Sequence, residues 1–471
     1  MSDTRALVLG LDLGTTEVRA GLFDLDGRPV AITRRPIRTA RGADGAAEQD
    51  PAEWWAAIVA AVGELGEARL RARAVCPVGQ GPTLVVVDGD GEPVRPAVTW
   101  MDRRPPRSVP GDPDGVAGFT LRPPILWLAE HEPAAVARAK WLLNTWDWVA
   151  LRLCGVAAAS LQPGESPLGA AAVAAVADRL PEGVPVGTDL GGLTTAAAVE
   201  LGLLAGTRVI AGTNDGAATI VGAGAREPGD AVDVGGASGG LAIIATRPVH
   251  LAGVYSAPSL VPGRWVLGGA MMAIGASLTW LCSQVLGDRW SMDELFAAAD
   301  AIAPGADGLV FLPYLAGERS PIWDEHARGV FCGLRLNHDR GHLVRAVLEG
   351  GALALRHVAT PILSAGLPIH ELRLAGRPAS SRTWAQIKSD VLGVPTVAPV
   401  VLDAAVLGAA AIAAVGGGLV VDLAHAASRM RGDRERFTPR DEARAVYDRV
   451  YAVYVDLYPA LRPAFQALAH L

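Results

Sequence analysis

The sequence predicts an α/β protein built from two similar lobes. Three observations carry that expectation. The chain has 471 residues, half of them apolar, which is enough for two sizeable cores. Short runs with strand alternation are interleaved with longer runs of helical periodicity. One hairpin is also written twice: Leu11-Asp12-Leu13-Gly14 near the start is echoed by Val232-Asp233-Val234-Gly235, each leading through a hydroxyl-bearing turn into another apolar strand. The expected division is into residues 1–245 and 246–471.

Composition removes several function classes. A formal charge of −7 without any run of Lys or Arg argues against a nucleic-acid partner or an anionic membrane surface. Cys76, Cys154, Cys282 and Cys332 are scattered and lack Cys-x-x-Cys spacing, so reduced side chains in a cytoplasmic protein are expected. The apolar run before Asp12 is too short for a secretory leader. Ala404 to Val421 is uncharged but rich in Ala and Gly and flanked by acids, which reads as a buried helix stopped by Gly416-Gly417-Gly418 and not as a membrane span.

In chain order, residues 5–33 read as three strands joined by two turns. The Asp12-x-Gly14-Thr15-Thr16 turn gathers a carboxylate, free amides and two hydroxyls, which suits Mg-bound phosphates; a plain Asx-turn hairpin is the rival reading. Asp50-Pro51-Ala52-Glu53 is a capping box that starts a helix. After the turn Gly79-Gln80-Gly81-Pro82 comes a strand, and Trp100, Asp102 and Arg104 then form a polar-aromatic set. That set suits a polyhydroxyl ligand, and equally a surface ion pair beside a core Trp. Residues 123–153 read as helical, with Trp127, Trp141, Trp146 and Trp148 mostly as core, and residues 268–286 read as a helix with a small-residue face. His338 and His342 lack a third partner for zinc, Arg345 and Glu349 read as an ordinary i,i+4 pair, and Tyr447, Tyr451, Tyr454 and Tyr458 read as a packing stripe.

The centre of the chain, residues 209–241, draws most attention. Asp215 follows a short apolar run and a Gly-Thr-Asn turn, where a strand would deliver a carboxylate, and a small-residue helix follows it. An N-cap role explains it equally well. The glycine turn in DVGGASGGL offers backbone N–H groups to an anion. Together with the repeated hairpin, this suggests a duplicated lobe holding a nucleotide between its halves.

The ordered strings LDLGTTEVRAGLFD, EQDPAEWW, WMDRR, the segment around Asp215, GERSPIWDEHARGVFCGL, LVRAVLEGGALALR, SSRTWAQIKSDVLGVP and LDAAVLGAA resemble the FGGY carbohydrate kinases, nearest to xylulokinase-like members, over nearly the whole chain. That resemblance implies two actin-like ATPase domains, ribonuclease-H-like in fold, with an interdomain cleft. It implies ATP-dependent phosphorylation of a small sugar, a pentulose such as xylulose first, with gluconate or a tetritol behind it, and it leaves a homodimer open. A weak sugar- or nucleotide-binding regulator is the rival from another class. Carried over by resemblance, Asp215 is the general base and Asp12 helps hold Mg²⁺. Thr15, Thr16 and Arg19 face the phosphates, and Ala237, Gly275, Thr279, Gly376 and Arg377 line the nucleotide. Gln80, Gly81, Pro82, Trp100, Asp102 and Arg104 lie towards the sugar.

Four departures from the family pattern are expected to matter. Ala237 stands where a Thr is usual, Arg377-Pro378 replace glycines, Glu17 replaces a small residue, and the stretch 155–180 is short. These touch nucleotide handling more than the base.

Overall fold

The structure is a computed structural model that describes residues 6–106, 120–165, 174–287 and 289–469. Its chain separates into two units, Met1–Gly224 with Ala404–Arg431, and Ala225–Asp403 with Gly432–Leu471. The division expected after residue 245 therefore falls earlier, and one cut does not describe the chain. The reason is strand pairing: the hairpin that begins at Asp230 belongs entirely to the second sheet, while residues 404–431 return to the first.

In the first unit the strands β1 (Leu7–Leu13), β2 (Glu17–Asp24), β3 (Pro29–Pro36), β4 (Ala72–Gly79), β5 (Asp189–Gly192) and β6 (Arg208–Ile210) form a sheet in the order β5-β6-β4-β1-β2-β3. β1, β2 and β3 run antiparallel, and β4 and β6 extend the sheet in parallel with β1. Every residue of β1 is buried, so it reads as a continuous apolar run interrupted only by Asp12. Leu7, Leu9, Leu11, Val18 and Ala20 pack with Trp54 and Trp148, whose rings meet edge to face at 5.8 Å. Trp54 lies on the helix Pro51–Gly63, which starts where expected, with Asp50 as its cap accepting from the Ala52 N–H at 2.8 Å in place of the N3 bond of a capping box.

On the second unit, β7 (Asp230–Asp233), β8 (Gly240–Ala245), β9 (Tyr255–Pro258), β10 (Trp265–Ala270), β11 (Glu371–Leu374), β12 (Thr396–Pro399) and β13 (Asp433–Phe437) form a sheet in the order β9-β10-β8-β7-β11-β12-β13. Its middle, β10-β8-β7-β11-β12, repeats β3-β2-β1-β4-β6 strand for strand, with the same mixture of antiparallel and parallel pairs. The repeated hairpin is thus the opening of a repeated sheet. Asp12 and Asp233 occupy the same place in the two copies, at the carboxyl end of the leading strand.

Several local expectations change. Gly268 to Ala270 complete β10, and the helix begins only at Ile274. Residues 123–153 divide into helices Arg122–His131, Pro133–Arg138 and Thr145–Cys154 with the strand Trp141–Leu143 between them; Pro133 opens its own short helix. Arg345 and Glu349 do pair, at 2.6 Å, but as a buried network with the Tyr447 hydroxyl and not on the surface. Tyr447 and Tyr454 are buried, in keeping with a packing stripe. His342 bonds to Asp339 and Asp307, and among the described residues no cluster of three or more His, Cys, Asp or Glu could hold a metal. Of the stretch 155–180, residues 166–173 lie outside the described residues. So do residues 1–5, where the search for a leader began.

The Ala404–Gly416 helix is buried against β1 and the helix Asp215–Gly222. Contact is close because side chains are missing on both sides: a Cβ at Gly408 would lie 1.9 Å from the Ala218 carbonyl, and one at Gly222 would lie 1.9 Å from the Ala404 carbonyl. That docking holds the helix that carries Asp215. Among the described residues no helix is long and apolar enough to cross a membrane.

Candidate active site

Three chain ends meet at the carboxyl edge of the first sheet, the side where open α/β sheets take ligands. The Gln80 N–H donates to the Leu13 carbonyl at 2.8 Å and the Gly79 N–H to the Thr213 carbonyl at 3.2 Å. These bonds fix the ends of β1 and β4 and the turn before the helix Asp215–Gly222 relative to one another.

That turn answers the N-cap reading of Asp215. The residue that caps the helix is Asn214, whose side chain accepts from the Ala217 N–H at 2.8 Å; Asp215 is the first helical residue. Its carboxylate is therefore not used as a cap. Burial first, then the nearby Asp12 carboxylate, push its pKa up to about 7, against the pull of the Gly216 N–H and Arg19.

Asp12 is buried and faces Arg19 directly across the β1–β2 pair, with Arg19 Nη1 donating to Oδ2 at 2.7 Å. Arg19 Nε donates to Glu17 Oε1 at 2.8 Å. The unusual Glu17 thus acts as a second holder of the guanidinium. Thr16 is exposed at the turn, while the Thr15 hydroxyl accepts from the Trp100 indole N–H at 3.1 Å.

A residue that sequence reasoning passed over links this set. Gln49 is buried; its Nε2 donates to the Thr15 carbonyl and to Thr39 Oγ1, both at 2.8 Å. Its Oε1 accepts from Trp54 Nε1 at 3.0 Å and from Gln80 Nε2 at 2.7 Å. The available signal was its place just before the Asp50 cap, in a strand of three residues, which aims it inward.

The remaining sugar-side candidates differ in how they are engaged. Gln80 is buried, and its Oε1 has no hydrogen-bond partner among the described residues. Gly81 and Pro82 are joined by a cis peptide, and Gly81 lies against the Trp146 ring. Asp102 takes bonds from the Arg104 side chain and from the Ala47 N–H, and Arg104 also reaches Glu48 at 2.5 Å and lies over the Trp127 ring at 4.4 Å. Burial raises the Asp102 pKa, but these donors outweigh it and hold the carboxyl below the usual range. The pair ties its loop to the strand before the Asp50 cap.

On the second unit, three of the five nucleotide-side candidates, Ala237, Gly275 and Gly376, converge on one turn. Gly235 and Gly236 have φ of 63° and 80°, and Asp233 Oδ1 accepts from the Gly235 N–H at 3.0 Å. The exposed Ala237 offers its carbonyl to the Ala276 N–H at 2.9 Å. A Cβ at Gly275 would lie 2.2 Å from the Gly236 carbonyl, and one at Gly376 would lie 3.3 Å from the Gly236 nitrogen. Arg377 follows, exposed, at the start of a short 3-10 helix. Thr279 stands one turn along its helix, bonded to the Gly275 carbonyl at 3.3 Å.

Residues 7–109 match the N-terminal domain of the FGGY family of carbohydrate kinases, and residues 232–417 match its C-terminal domain. The chain belongs to the FGGY family of carbohydrate kinases. It is similar to a xylulose kinase of Staphylococcus epidermidis, 28% identical over 481 residues, with 96% of this chain and 97% of the relative covered. A gluconokinase of Bacillus subtilis is 25% identical, with 98% and 97% covered. The crystal structure of xylulose kinase from Rhodospirillum rubrum has a TM-score of 0.82 and 30% identity, covering 98% of this chain and all of that one.

As an FGGY kinase, the chain uses ATP to phosphorylate a sugar hydroxyl, which sets aside the regulator as the main reading. Two of its departures from the family pattern take a milder form in three dimensions. Pro378 sits in the first turn of the 3-10 helix, where a backbone N–H would have no helical partner anyway. Glu17 is neutralised by Arg19. Ala237 remains one hydroxyl short at the exposed tip of its turn.

Proposed function

We propose that this kinase phosphorylates a pentulose, with xylulose as first candidate, and that Asp215 is its general base. The observation that carries the proposal is the state of Asp215: a carboxylate that is not the cap of the helix it begins, beside Asp12, with its pKa brought up to about 7. A base poised near neutral pH takes the proton from the attacking sugar hydroxyl, a contribution of roughly 10²- to 10⁴-fold in rate. The xylulose kinases of S. epidermidis and R. rubrum support the choice of sugar, and the B. subtilis gluconokinase supports gluconate as the second reading.

Asp12 suits a divalent cation. Its carboxylate is buried at a strand end with the Thr15 and Thr16 hydroxyls close in the chain. A single buried carboxylate suits Mg²⁺, which binds through one or two carboxylates plus substrate phosphates and keeps most of its waters. When bound, Mg²⁺ neutralises charge on the transferring phosphoryl group. Arg19 is held ready by Asp12 and Glu17 to meet phosphate oxygens, while Gly236, Ala237, Gly275, Thr279, Gly376 and Arg377 serve the nucleotide on the second unit. A cytoplasmic setting suits the four cysteines, all of which are free.

A coupled ADP-release assay over xylulose, other ketoses, a tetritol and gluconate tests the proposal. Turnover highest with xylulose is expected. Nucleotide binding without turnover on any sugar would sink it.

A further inference from the structure

On the turn Gln80-Gly81 and the helix start that faces it, three hydrogen-bonding atoms are buried without a partner among the described residues: Gln80 Oε1, Asn144 Oδ1 and Trp146 Nε1. Gln80 is 1% exposed and Trp146 7%. The Thr145 hydroxyl between Asn144 and Trp146 donates to the Gln80 carbonyl at 2.8 Å, which locks this helix start to the end of β4. A Cβ added to Gly81 would lie 2.8 Å from the six-membered ring of Trp146 and 3.9 Å from Asn144 Oδ1, so both side chains close on the glycine that follows Gln80.

Asn144 gives the clearest signal. It is the N-cap residue of the helix Thr145–Cys154, yet its side chain makes no capping bond. An Asn in that position normally bonds to the first turn. The amide is turned towards Gly81 instead.

The free end of Gln80 is fixed by the bonds around it. The Trp54 indole can only donate, so the Gln49 atom it meets is a carbonyl oxygen. The Gln80 atom that meets the same oxygen must then be its NH₂, which leaves the Gln80 carbonyl as the free end. Trp146 Nε1 can only donate. The set therefore comprises one acceptor, one donor and the Asn144 amide, which can serve as either.

We propose that Asn144 and Trp146 are specificity-determining residues of the sugar site, reading with Gln80 the hydroxyls of a neutral polyol. This rests on the sugar-kinase reading above and narrows its substrate class. The Gln80 oxygen accepts from a hydroxyl and repels a carboxylate, and the Asn144 amide and Trp146 indole are neutral partners with no cation to hold an acid, so a ketose is accepted and a sugar acid is disfavoured. Gly81 is required because the Trp146 ring occupies the space of any side chain there.

The test uses the full-length enzyme and the variants Trp146→Phe, which keeps the ring, Asn144→Leu, and Asn144→Ser, which restores a capping hydroxyl. Each is expected to lower kcat/KM for xylulose by roughly 10-fold or more, with KM for ATP within about twofold and the melting temperature of Asn144→Ser unchanged or raised. Removing one hydroxyl from xylulose should slow the wild type and leave the variant that lacks the matching partner no slower than it already is, which a merely structural role would not produce. Wild-type turnover should favour xylulose over gluconate by at least tenfold. If the wild type is active but Trp146→Phe and Asn144→Ser both keep kcat/KM within twofold, or if gluconate is preferred, the inference falls while the kinase reading stands. A wild type inactive on every sugar would remove the kinase reading and this inference with it.

Discussion

In the first unit, Asp12 meets an arginine from the neighbouring strand whose side chain is 28% exposed. In the second, the equivalent Asp233 meets Lys388 from the helix Arg382–Leu392 at 2.5 Å, with the lysine only 1% exposed. Lys388 also lies over the Trp384 ring, and the other Asp233 oxygen holds the Gly235 N–H. One sheet has been used twice, and the acid at its head has parted ways. The first copy keeps a charge beside Asp215, where it can act on a ligand, and the second has its charge sealed in and shapes a glycine turn. An ion pair on an accessible edge can exchange partners; one buried beneath a helix cannot do so without opening the fold.

Four measurements would break or sharpen that contrast. The largest effect is expected from Asp215→Asn, which should lower kcat by roughly 10²- to 10⁴-fold in the coupled assay while melting about 2–4 °C higher at pH 8. The sign of the second effect follows from the raised pKa. The folded state favours the protonated acid, so the stability contributed by that proton is full below the ordinary carboxylate range and lost as pH rises through about 7. Removing the charge then relieves strain that the wild type carries at high pH.

Next comes Lys388→Met, which should cost about 3–5 kcal/mol in urea unfolding because it leaves Asp233 buried and unpaired. The double replacement Asp233→Leu with Lys388→Leu should recover most of that loss. Equal stability of single and double variants would contradict a sealed structural pair.

The third concerns the pH dependence of kcat/KM. A rise with pH through about 7 is expected as Asp215 loses its proton, and in Asp12→Asn the rise should move to lower pH, because the second cause of the shift has been removed. A profile that stays in place would uncouple the two acids. The smallest effect belongs to the second turn: Ala237→Thr should lower KM for ATP by about 2- to 10-fold, the worth of one added hydrogen bond, and leave the sugar KM alone.

Local signals were legible in the sequence and distant ones were not. The Asp50-Pro51 helix start, the three opening strands and the echo of Asp12 in Asp233 depend on residues a few positions apart, and they stand as read. The choice between Asn214 and Asp215 as cap turned on one dihedral step that neighbouring residues do not encode. Gly268 to Ala270 are small enough for strand or helix, and their pairing with β8 decided the matter. The return of residues 404–431 to the first unit follows from close backbone contacts of Gly10, Gly222 and Gly408, and no periodicity announces these. Gln49 and Asn144 were missed for a similar reason. Gln49 meets Gln80 31 positions away and Thr15 34 positions away, and Asn144 looks like any other cap until its side chain is seen to point elsewhere.

Gln49 has a thermodynamic consequence. One rigid amide holds the Gln80 side chain with its oxygen and the Thr15 carbonyl with its nitrogen, so the two loops share a single arrangement in which all its partners are served. With Gln80 proposed to meet the sugar and the Thr15 turn the phosphates, a sugar that steadies Gln80 would also steady the turn. By reciprocity, a nucleotide that engaged the turn would tighten the grip on the sugar by the same factor. Synergy between the two substrates would in this way run through the Gln49 amide.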